Sequence, residues 1–394
     1  MTKPAMDSQE TRILIYSSDT ETIDAIFDLC ELSQVDGLRL ATCATLDAVE
    51  DYLEHHSTSL LFFDFHSFPE TEQLSELAQR VSPKPTIAFI SQLEQNTLVR
   101  ALRNGADGVF SLDEVRNDPL SLVRSLDRQL DRANAIESAR YLRDSLSQSL
   151  EELKADQDAA AQIQQRLLPP THQSLDDQLS CEYLLRPSLL LSGDFIDLIP
   201  LKNDQYLFYL ADVSGHGASS ALVTVLLKNM TNRLQRAYFK GESDRLENPQ
   251  QLLEHFNREV LLTSFGKHMT MLIGVVDTKA SKLTYSIGGH HPSMVLLQGD
   301  KAHYLEGRGM PVGLFEEPLY EEHSCDLADD FSIYLFSDGI LEIIKGDKLE
   351  EKEQNLLRLC QADKPSPEAL LKRVVDEEAE LPDDVAIMMV SRRC

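Results

Sequence analysis

Short apolar runs alternate with amphipathic segments through the first third of the chain. The apolar runs are Arg12–Tyr16, Leu38–Cys43, Leu60–Phe65, Thr86–Ile90 and Gly108–Phe110. Helical spacing occurs in Thr20–Leu32, in Leu46–His55 and from Leu98 to the turn at Gly105. This alternation predicts a doubly wound parallel sheet, an α/β fold with helices on both faces. In such a sheet, binding sites form at the carboxyl ends of the strands.

Residues 119–168 predict a single long helix, because almost no Gly or Pro interrupts them after Pro119. Apolar residues recur every seven positions, at Leu146, Leu153, Ala160 and Leu167, with Leu150 and Ile163 beside them. A repeat of seven indicates a coiled coil, and we expect it to pair two copies of the chain as a homodimer. The alternative is a helix that folds back on its own chain. Pro169 and Pro170 end the helix.

The remaining residues alternate less regularly and predict an α+β fold with sheets inside and helices outside. Strand-like runs are Cys181–Leu185, Tyr206–Asp212, Met269–Val276, Lys282–Gly288, Ser293–Leu297, Phe331–Phe336 and Val385–Val390. Helical runs are Ser219–Arg236, Pro249–Leu262 and Pro367–Glu378. The predicted organisation is therefore an α/β domain over residues 1–118, a helical linker over 119–168 and a third domain over 169–394.

Composition narrows the classes of partner. Apolar residues make up 42% of the 394 residues, and the formal net charge is −28. A surface this acidic repels nucleic acid and anionic lipid, and it favours divalent cations and basic surfaces. The six cysteines form no C-x-x-C pair, which suits free thiols in a reducing compartment. With no signal-peptide core and no run of about 20 apolar residues, we expect a cytoplasmic protein without a membrane span.

Acidic residues lie beside several of the predicted strands in the last domain. They are Asp194 and Asp197, Asp212, Asp338, and the pair Asp383 and Asp384. A carboxylate beside a buried strand is costly unless it is paired or bound to a cation. Any single Asp here has an ordinary explanation as a turn or capping residue. Several together favour a site for Mg²⁺ or Mn²⁺, in which two ions activate a water for attack on phosphorus.

The runs that carry these acids resemble a known enzyme family. The runs GDFIDL, LADVSGHGASS, HMTMLIGVVD, LTYSIGGHHP, FSDGILE and PDDVAIM occur in this order. They resemble the metal-dependent PPM protein phosphatases, in the bacterial SpoIIE-type branch. The resemblance implies a β-sandwich flanked by helices and hydrolysis of phosphoserine or phosphothreonine. It implies metal ligands at Asp194, Asp212, the backbone of Val213, Asp338 and Asp383, and leaves the choice between Asp383 and Asp384 open.

Two of the histidine positions in these runs are candidates for chemistry. His216, in the glycine-rich turn, is of a type that serves as a general acid, but it does not align with the catalytic histidine of the eukaryotic branch. We expect a structural role for it, or a contact with a residue that binds metal. His290 and His291 follow Gly289, and we expect them to pack rather than to catalyse.

The first domain resembles the receiver domain of response regulators. Asp64 ends the third strand, at the position of the family's phosphoacceptor, and Ser91 follows the fourth strand at its switch position. The acidic pair after the first strand is reduced to Asp19, and Leu112 replaces the usual Lys. Those charges hold Mg²⁺ and phosphate in receivers. A degenerate receiver that still accepts phosphate and a receiver-shaped interaction domain therefore both stay open.

The order of receiver, long helix and phosphatase resembles RssB-type regulators of the general-stress sigma factor, of the kind found in pseudomonads. It implies a phosphatase that acts on a phosphorylated anti-sigma-factor antagonist. The alternative is an adaptor that binds the stress sigma factor and directs it to proteolysis without turnover. The chain lacks a G-x-x-x-x-G-K-[ST] loop, which argues against an ATP-driven kinase.

Overall fold

The computed structural model describes residues 11–33, 37–67, 71–82, 84–92, 94–175, 179–215, 217–376 and 379–392. The chain divides into two compact units, Met1–Leu150 and Glu151–Cys394. No helix among the described residues is both long and apolar enough to cross a membrane. The five cysteines that lie in these ranges are free thiols.

The first unit contains a five-stranded sheet whose strands are all parallel, in the order β2-β1-β3-β4-β5. Its strands are β1 (Arg12–Tyr16), β2 (Arg39–Cys43), β3 (Leu60–Asp64), β4 (Thr86–Ile90) and β5 (Gly108–Ser111). Its helices are α1 (Thr20–Leu32), α2 (Leu46–His55), α3 (Thr71–Val81), α4 (Gln95–Arg103) and α5 (Leu112–Asn117). The predicted parallel α/β fold is confirmed, and α3 and α5 are additional to the predicted helices.

Successive side chains of each strand point to opposite faces of this sheet and enter two apolar clusters. Ile13 lies in one cluster and Leu14 in the other. The first turns of α6 (Pro119–Leu167) belong to the same unit, because Leu126 and Leu130 pack with Ile13. Further along, Leu146, Leu150 and Leu153 of the heptad stripe are exposed, whereas Leu167 packs against an apolar cluster of the second unit.

The second unit contains two antiparallel sheets, in the orders β14-β11-β10-β9-β8 and β13-β12-β15-β16-β7-β6. The strands are β6 (His172–Ser174), β7 (Leu179–Arg186), β8 (Asp194–Pro200), β9 (Gln205–Val213), β10 (Met269–Asp277), β11 (Lys282–Gly288), β12 (Val295–Gln298), β13 (Lys301–Tyr304), β14 (His323–Asp326), β15 (Phe331–Phe336) and β16 (Val385–Arg392). The helices are α7 (Ala218–Lys240), α8 (Pro249–Thr263), α9 (Gly339–Ile343), α10 (Leu349–Gln361) and α11 (Pro367–Lys372).

Three apolar clusters arrange this unit in four layers. One cluster lies between the sheets and joins Phe208 to Ile333. A second cluster packs α7 and α8 on the outer face of the first sheet, around Tyr209. A third packs α9, α10 and α11 on the other sheet, around Tyr334. The predicted β-sandwich flanked by helices is therefore confirmed.

Several details differ from the sequence prediction, and β6, β13, β14, α9 and α10 are additional to the predicted elements. Asp194 begins β8 and Asp197 lies inside it, so Asp197 does not lie at a strand end. The acids interrupted the apolar pattern of β8, which was not predicted as a strand. The predicted helix Pro367–Glu378 ends at Lys372, where the chain continues in turns.

Candidate functional site

One pair of acids lies on neighbouring strands of the first sheet. Asp194 and Asp212 are direct partners across β8 and β9, so their side chains share one face at one end of the sheet. Thr270 of β10 is in turn the partner of Asp212, which extends the row to a third strand. Like charges placed directly opposite each other destabilise a sheet. The pairing of Asp194 with Asp212 therefore indicates a functional site, in which a bound group offsets the repulsion between the two carboxylates.

A second pair of acids comes from the other sheet. Asp338 follows β15 and Asp383 precedes β16, and these two strands pair with each other. Gly339 allows the two loops to approach, because a Cβ there would lie 2.1 Å from the carbonyl oxygen of Asp384. No side chain larger than hydrogen fits in that space.

The two sheets together enclose a cavity of about 290 Å³, here called the acid pocket. It is lined by Asp212, Ser214, Gly215, His268, Thr270, Asp338, Asp383 and Asp384. Within the described ranges, no group of three or more His, Cys, Asp or Glu side chains lies close enough together to hold a metal ion. An open arrangement still suits Mg²⁺, which keeps several waters and binds one or two carboxylates directly.

The acids around this pocket raise one another's pKa. Burial raises the pKa of Asp194 well above its usual range, and the charge of Asp212 adds to this. Burial and the charges of Asp338 and Asp383 raise the pKa of Asp212 to about 7. Burial and the charge of Asp383 also raise the pKa of Asp338.

Asp194 shows which kind of group would relieve this repulsion. Its side chain is 2% exposed, and its Oδ2 atom has no hydrogen-bond partner among the described residues. A buried carboxylate oxygen without a donor is costly. The hard oxygen donors and the accumulated negative charge fit a divalent cation.

Asp383 and Asp384 have different surroundings. The Oδ1 atom of Asp384 accepts hydrogen bonds from the amide and hydroxyl of Ser188, at 2.7 and 2.8 Å. Its Oδ2 atom accepts from the hydroxyl of Ser192 and the amide of Gly193, at 2.9 and 2.8 Å. Asp384 is therefore engaged in holding the loop before Asp194. Asp383 accepts one hydrogen bond, from the amide of Asp384.

Lys267 and Ser214 fix the loop that follows Asp212. The Lys267 ammonium donates to the Ser214 carbonyl at 2.8 Å, and the Ser214 amide donates to the His268 carbonyl at 2.9 Å. The carbonyl oxygen of Val213 lies against Gly193, where an added Cβ would be 2.9 Å away. His268 lines the acid pocket and was missed from the sequence, since no motif singled it out.

Asp197 does not join the acid pocket. Lys228 of α7 donates to both of its carboxylate oxygens, at 2.8 and 2.7 Å, and the Tyr209 hydroxyl donates at 3.2 Å. Asp197 is 1% exposed. Burial raises its pKa, against the lowering effect of Lys228. This ion pair attaches α7 to the strand that begins with Asp194.

Gln164, near the end of α6, also contacts the loop before Asp194. Its side-chain amide donates to the Ser192 carbonyl at 2.7 Å and to the Thr224 hydroxyl at 2.9 Å, and its oxygen accepts from the Ser192 amide at 3.2 Å. The heptad pattern alone gave no reason to single out this polar residue. Its contacts tie the helix end to α7 and to the acid-bearing loop.

The two histidine positions have different outcomes. His216 lies outside the described residues. His290 is buried, and its ring bridges Thr270 and the backbone of Phe336. His290 therefore packs as expected and also contacts Thr270, which lines the acid pocket.

The receiver-like residues lie at the carboxyl end of the parallel sheet in the first unit. Asp64 is 8% exposed; it accepts from the His66 amide at 2.9 Å and from the Ser17 hydroxyl at 3.5 Å. Asp19 instead caps α1, with its Oδ2 accepting from the amide and hydroxyl of Thr22, and these hydrogen bonds lower its pKa. Ser91 contacts the His66 ring at 3.1 Å. In this geometry the carboxylate of Asp19 is the N-cap of α1.

Residues 202–393 match the family model described as Stage II sporulation protein E (SpoIIE). These residues therefore form a SpoIIE-type domain. The match includes Asp212, Asp338 and Asp383 and begins after Asp194. The SpoIIE-type domain therefore supplies three of the four acids that converge.

Two curated relatives resemble the chain at moderate identity. It is 26% identical over 190 residues to the phosphoserine phosphatase RsbP of Bacillus subtilis, with 48% of this chain and 46% of that protein covered. It is 25% identical over 254 residues to the phosphoserine phosphatase RsbU of the same organism, with 62% and 72% covered. The chain thus spans about half the length of RsbP.

A solved structure shows the same fold. The SiaA-PP2C domain of Pseudomonas aeruginosa matches with a TM-score of 0.52 at 20% identity, over 63% of this chain and 99% of that domain. The SpoIIE-type domain therefore has the PP2C fold, with its acid pocket at one end of the two sheets.

Proposed function

We propose that the SpoIIE-type domain is a metal-dependent phosphatase that hydrolyses phosphoserine or phosphothreonine in a partner protein. The observation that carries this proposal is the convergence of Asp194, Asp212, Asp338 and Asp383 from two sheets, where an oxygen of Asp194 has no donor in the described part of the chain. A structural role for so many mutually repelling acids would lower stability without any benefit.

The residues that would hold two ions, Mg²⁺ or Mn²⁺, are Asp194, Asp212, the carbonyl of Val213, Asp338 and Asp383. When bound, such ions lower the pKa of a water and neutralise phosphate charge. We assign Asp384 to holding the loop, since both of its oxygens already accept two hydrogen bonds. Lys267 holds the Ser214 carbonyl and so keeps the loop after Asp212 in place.

The substrate class follows from the resemblance and from the relatives, both of which are phosphoserine phosphatases by name. We propose a phosphorylated anti-sigma-factor antagonist in a stress sigma-factor pathway. Its phosphoserine would enter the acid pocket, and the strongly acidic chain favours a basic surface around that serine.

The first unit is proposed to be a degenerate receiver, with Asp64 as the candidate phosphoacceptor, together with Asp19 and Ser91. Because Asp19 caps α1 and a serine replaces its acidic neighbour, the Mg²⁺ site of a receiver is incomplete here. The domain bounds 1–118, 119–168 and 169–394 are part of the same proposal.

The exposed stripe on α6 is proposed to pair two chains as a parallel coiled coil. Leu146, Leu150 and Leu153 are 61%, 57% and 54% exposed, although leucine is among the residues most often buried. Replacing Leu146 and Leu153 with Glu should convert a dimer into a monomer in light scattering. A wild-type monomer would refute the pairing.

The activity is tested with the full chain, Mn²⁺ and a serine-phosphorylated antagonist protein. We expect phosphate release that Asp212→Asn abolishes while circular dichroism stays unchanged. An adaptor would instead bind the stress sigma factor and release no phosphate. Full activity in the folded Asp212→Asn variant would contradict the proposal.

A further inference from the structure

His290 links the two sheets at the edge of the acid pocket. Its Nδ1 atom lies 2.6 Å from the hydroxyl oxygen of Thr270 on β10, and its Nε2 atom lies 2.7 Å from the carbonyl oxygen of Phe336 on β15. The ring is only 6% exposed. Thr270 is the register partner of Asp212 and lines the pocket, so one side of its side chain faces the cavity.

These contacts fix the position of each proton. A carbonyl oxygen can only accept, so Nε2 must carry the hydrogen that it donates to Phe336. Burial lowers the pKa of His290 to about 4, so the ring is neutral near pH 7 and Nδ1 carries no hydrogen. Nδ1 therefore accepts, and the Thr270 hydroxyl must donate to it.

A threonine hydroxyl has one hydrogen and two lone pairs. With its hydrogen committed to His290, Thr270 can only accept a hydrogen bond from whatever enters the acid pocket. A phosphate dianion offers no hydrogen and would be repelled, whereas a water offers two. The Thr270 hydroxyl therefore favours a water over a phosphate oxygen as its neighbour in the pocket.

We propose that Thr270 is a catalytic residue that accepts a hydrogen bond from the attacking water, and that His290 is the positioning residue that keeps this acceptor orientation. The inference rests on the proposed phosphatase function. In the hydrolysis, the water oxygen forms a new bond to phosphorus while the bond to the serine oxygen breaks. One water proton stays with the phosphate, the other ends on the released serine, and Thr270 keeps its own proton.

The tautomer of His290 is testable without any metal or substrate. In ¹⁵N-histidine-labelled full-length protein, we expect His290 to remain the neutral Nε2–H tautomer from pH 5.5 to 8. An Nδ1–H tautomer or an imidazolium over this range would overturn the inference, because Thr270 would then be free to donate into the pocket.

The role of the hydroxyl is tested with Thr270→Val, Thr270→Ser and the control Thr284→Val, a half-buried position of β11 outside the pocket. We expect Thr270→Val to lower kcat for p-nitrophenyl phosphate about 10- to 100-fold, as misorientation does. KM, the Mn²⁺ affinity from calorimetry and the melting temperature should stay near wild type. Thr270→Ser, which keeps the hydroxyl, should retain most of the rate.

The outcomes separate the two claims. A wild-type chain without metal-dependent turnover would refute the proposed function, and the tautomer measurement would still decide the state of His290. An active wild type with an equally active Thr270→Val would refute this inference alone. A loss of Mn²⁺ affinity or folding in Thr270→Val, with Thr270→Ser equally impaired, would reveal a structural role and also overturn it.

Discussion

Asp384 accepts a hydrogen bond from the backbone amide of Gly193 at 2.8 Å, and so holds the residue that immediately precedes Asp194. Its other acceptor sites take the hydroxyl of Ser192 and two donors of Ser188. Asp384 thus holds the loop before Asp194 in place. Asp383 keeps carboxylate lone pairs that can bind a ligand.

This difference predicts opposite effects for two neighbouring substitutions. Asp384→Asn places an amide N–H against existing donors, and we expect a loss of about 2–4 kcal/mol in the free energy of unfolding. Asp383→Asn removes a repelling charge, so the metal-free stability should stay the same or rise while Mn²⁺ affinity falls. Urea unfolding and calorimetry measure both. Equal loss of stability in the two variants would contradict the assignment.

The buried ion pair between Asp197 and Lys228 predicts a large stability effect. Lys228→Met leaves a 1%-exposed carboxylate without its cation, and we expect a loss of about 3–5 kcal/mol. The control is Lys279→Met, whose pair with Asp204 is exposed on both sides, so that its loss should change stability far less. Similar losses in denaturant unfolding of the two variants would show that burial does not control this energy.

Gly339 is predicted to be intolerant of any side chain. The methyl group of Gly339→Ala would lie 2.1 Å from a backbone oxygen, so the loops that carry Asp338 and Asp383 must separate. We expect loss of Mn²⁺ affinity and a melting temperature lower by several degrees. Gly108→Ala, whose added carbon would meet only an ordinary contact at 3.8 Å, serves as the control. A fully active Gly339→Ala would disprove the close approach.

The raised pKa values predict how stability depends on pH. Asp194, Asp212 and Asp338 bind protons more tightly in the folded chain than in the unfolded chain, so the folded state is favoured at low pH. With chelator present, stability should therefore fall as pH rises from about 4 through about 7, the pKa of Asp212. Mn²⁺ should reduce this fall, because it replaces the protons. A chelated protein that gains stability across this window would contradict the electrostatics.

Local features of the sequence were sufficient for much of the fold. The helix predicted over 119–168 spans Pro119–Leu167, because no Gly or further Pro interrupts the sequence between Pro119 and Pro169. β8 was missed because Asp194 and Asp197 interrupt its apolar pattern, and their burial depends on distant partners such as Lys228. Strand order depends on long-range pairing that local periodicity does not encode.

The site was only partly predictable for the same reason. The acids were found because carboxylates beside apolar strands are costly, and the structure brings Asp212, Asp338 and Asp383 around one cavity. The distinct role of Asp384 depends on donors almost two hundred residues away. Thr270 lies between two buried methionines, and a threonine in a strand gives no chemical signal until its contact with His290 is known.

The most direct test of the central claim is hydrolysis of p-nitrophenyl phosphate by the purified full-length chain, with Mn²⁺ and with chelator. Asparagine has nearly the same shape as aspartate and removes a repelling charge from the pocket, so Asp338→Asn should fold normally and isolates the loss of one charge. We predict turnover with Mn²⁺, none with chelator, and none in folded Asp338→Asn. Turnover that persists with chelator, or that survives in Asp338→Asn, would contradict a metal-dependent phosphatase built on these acids.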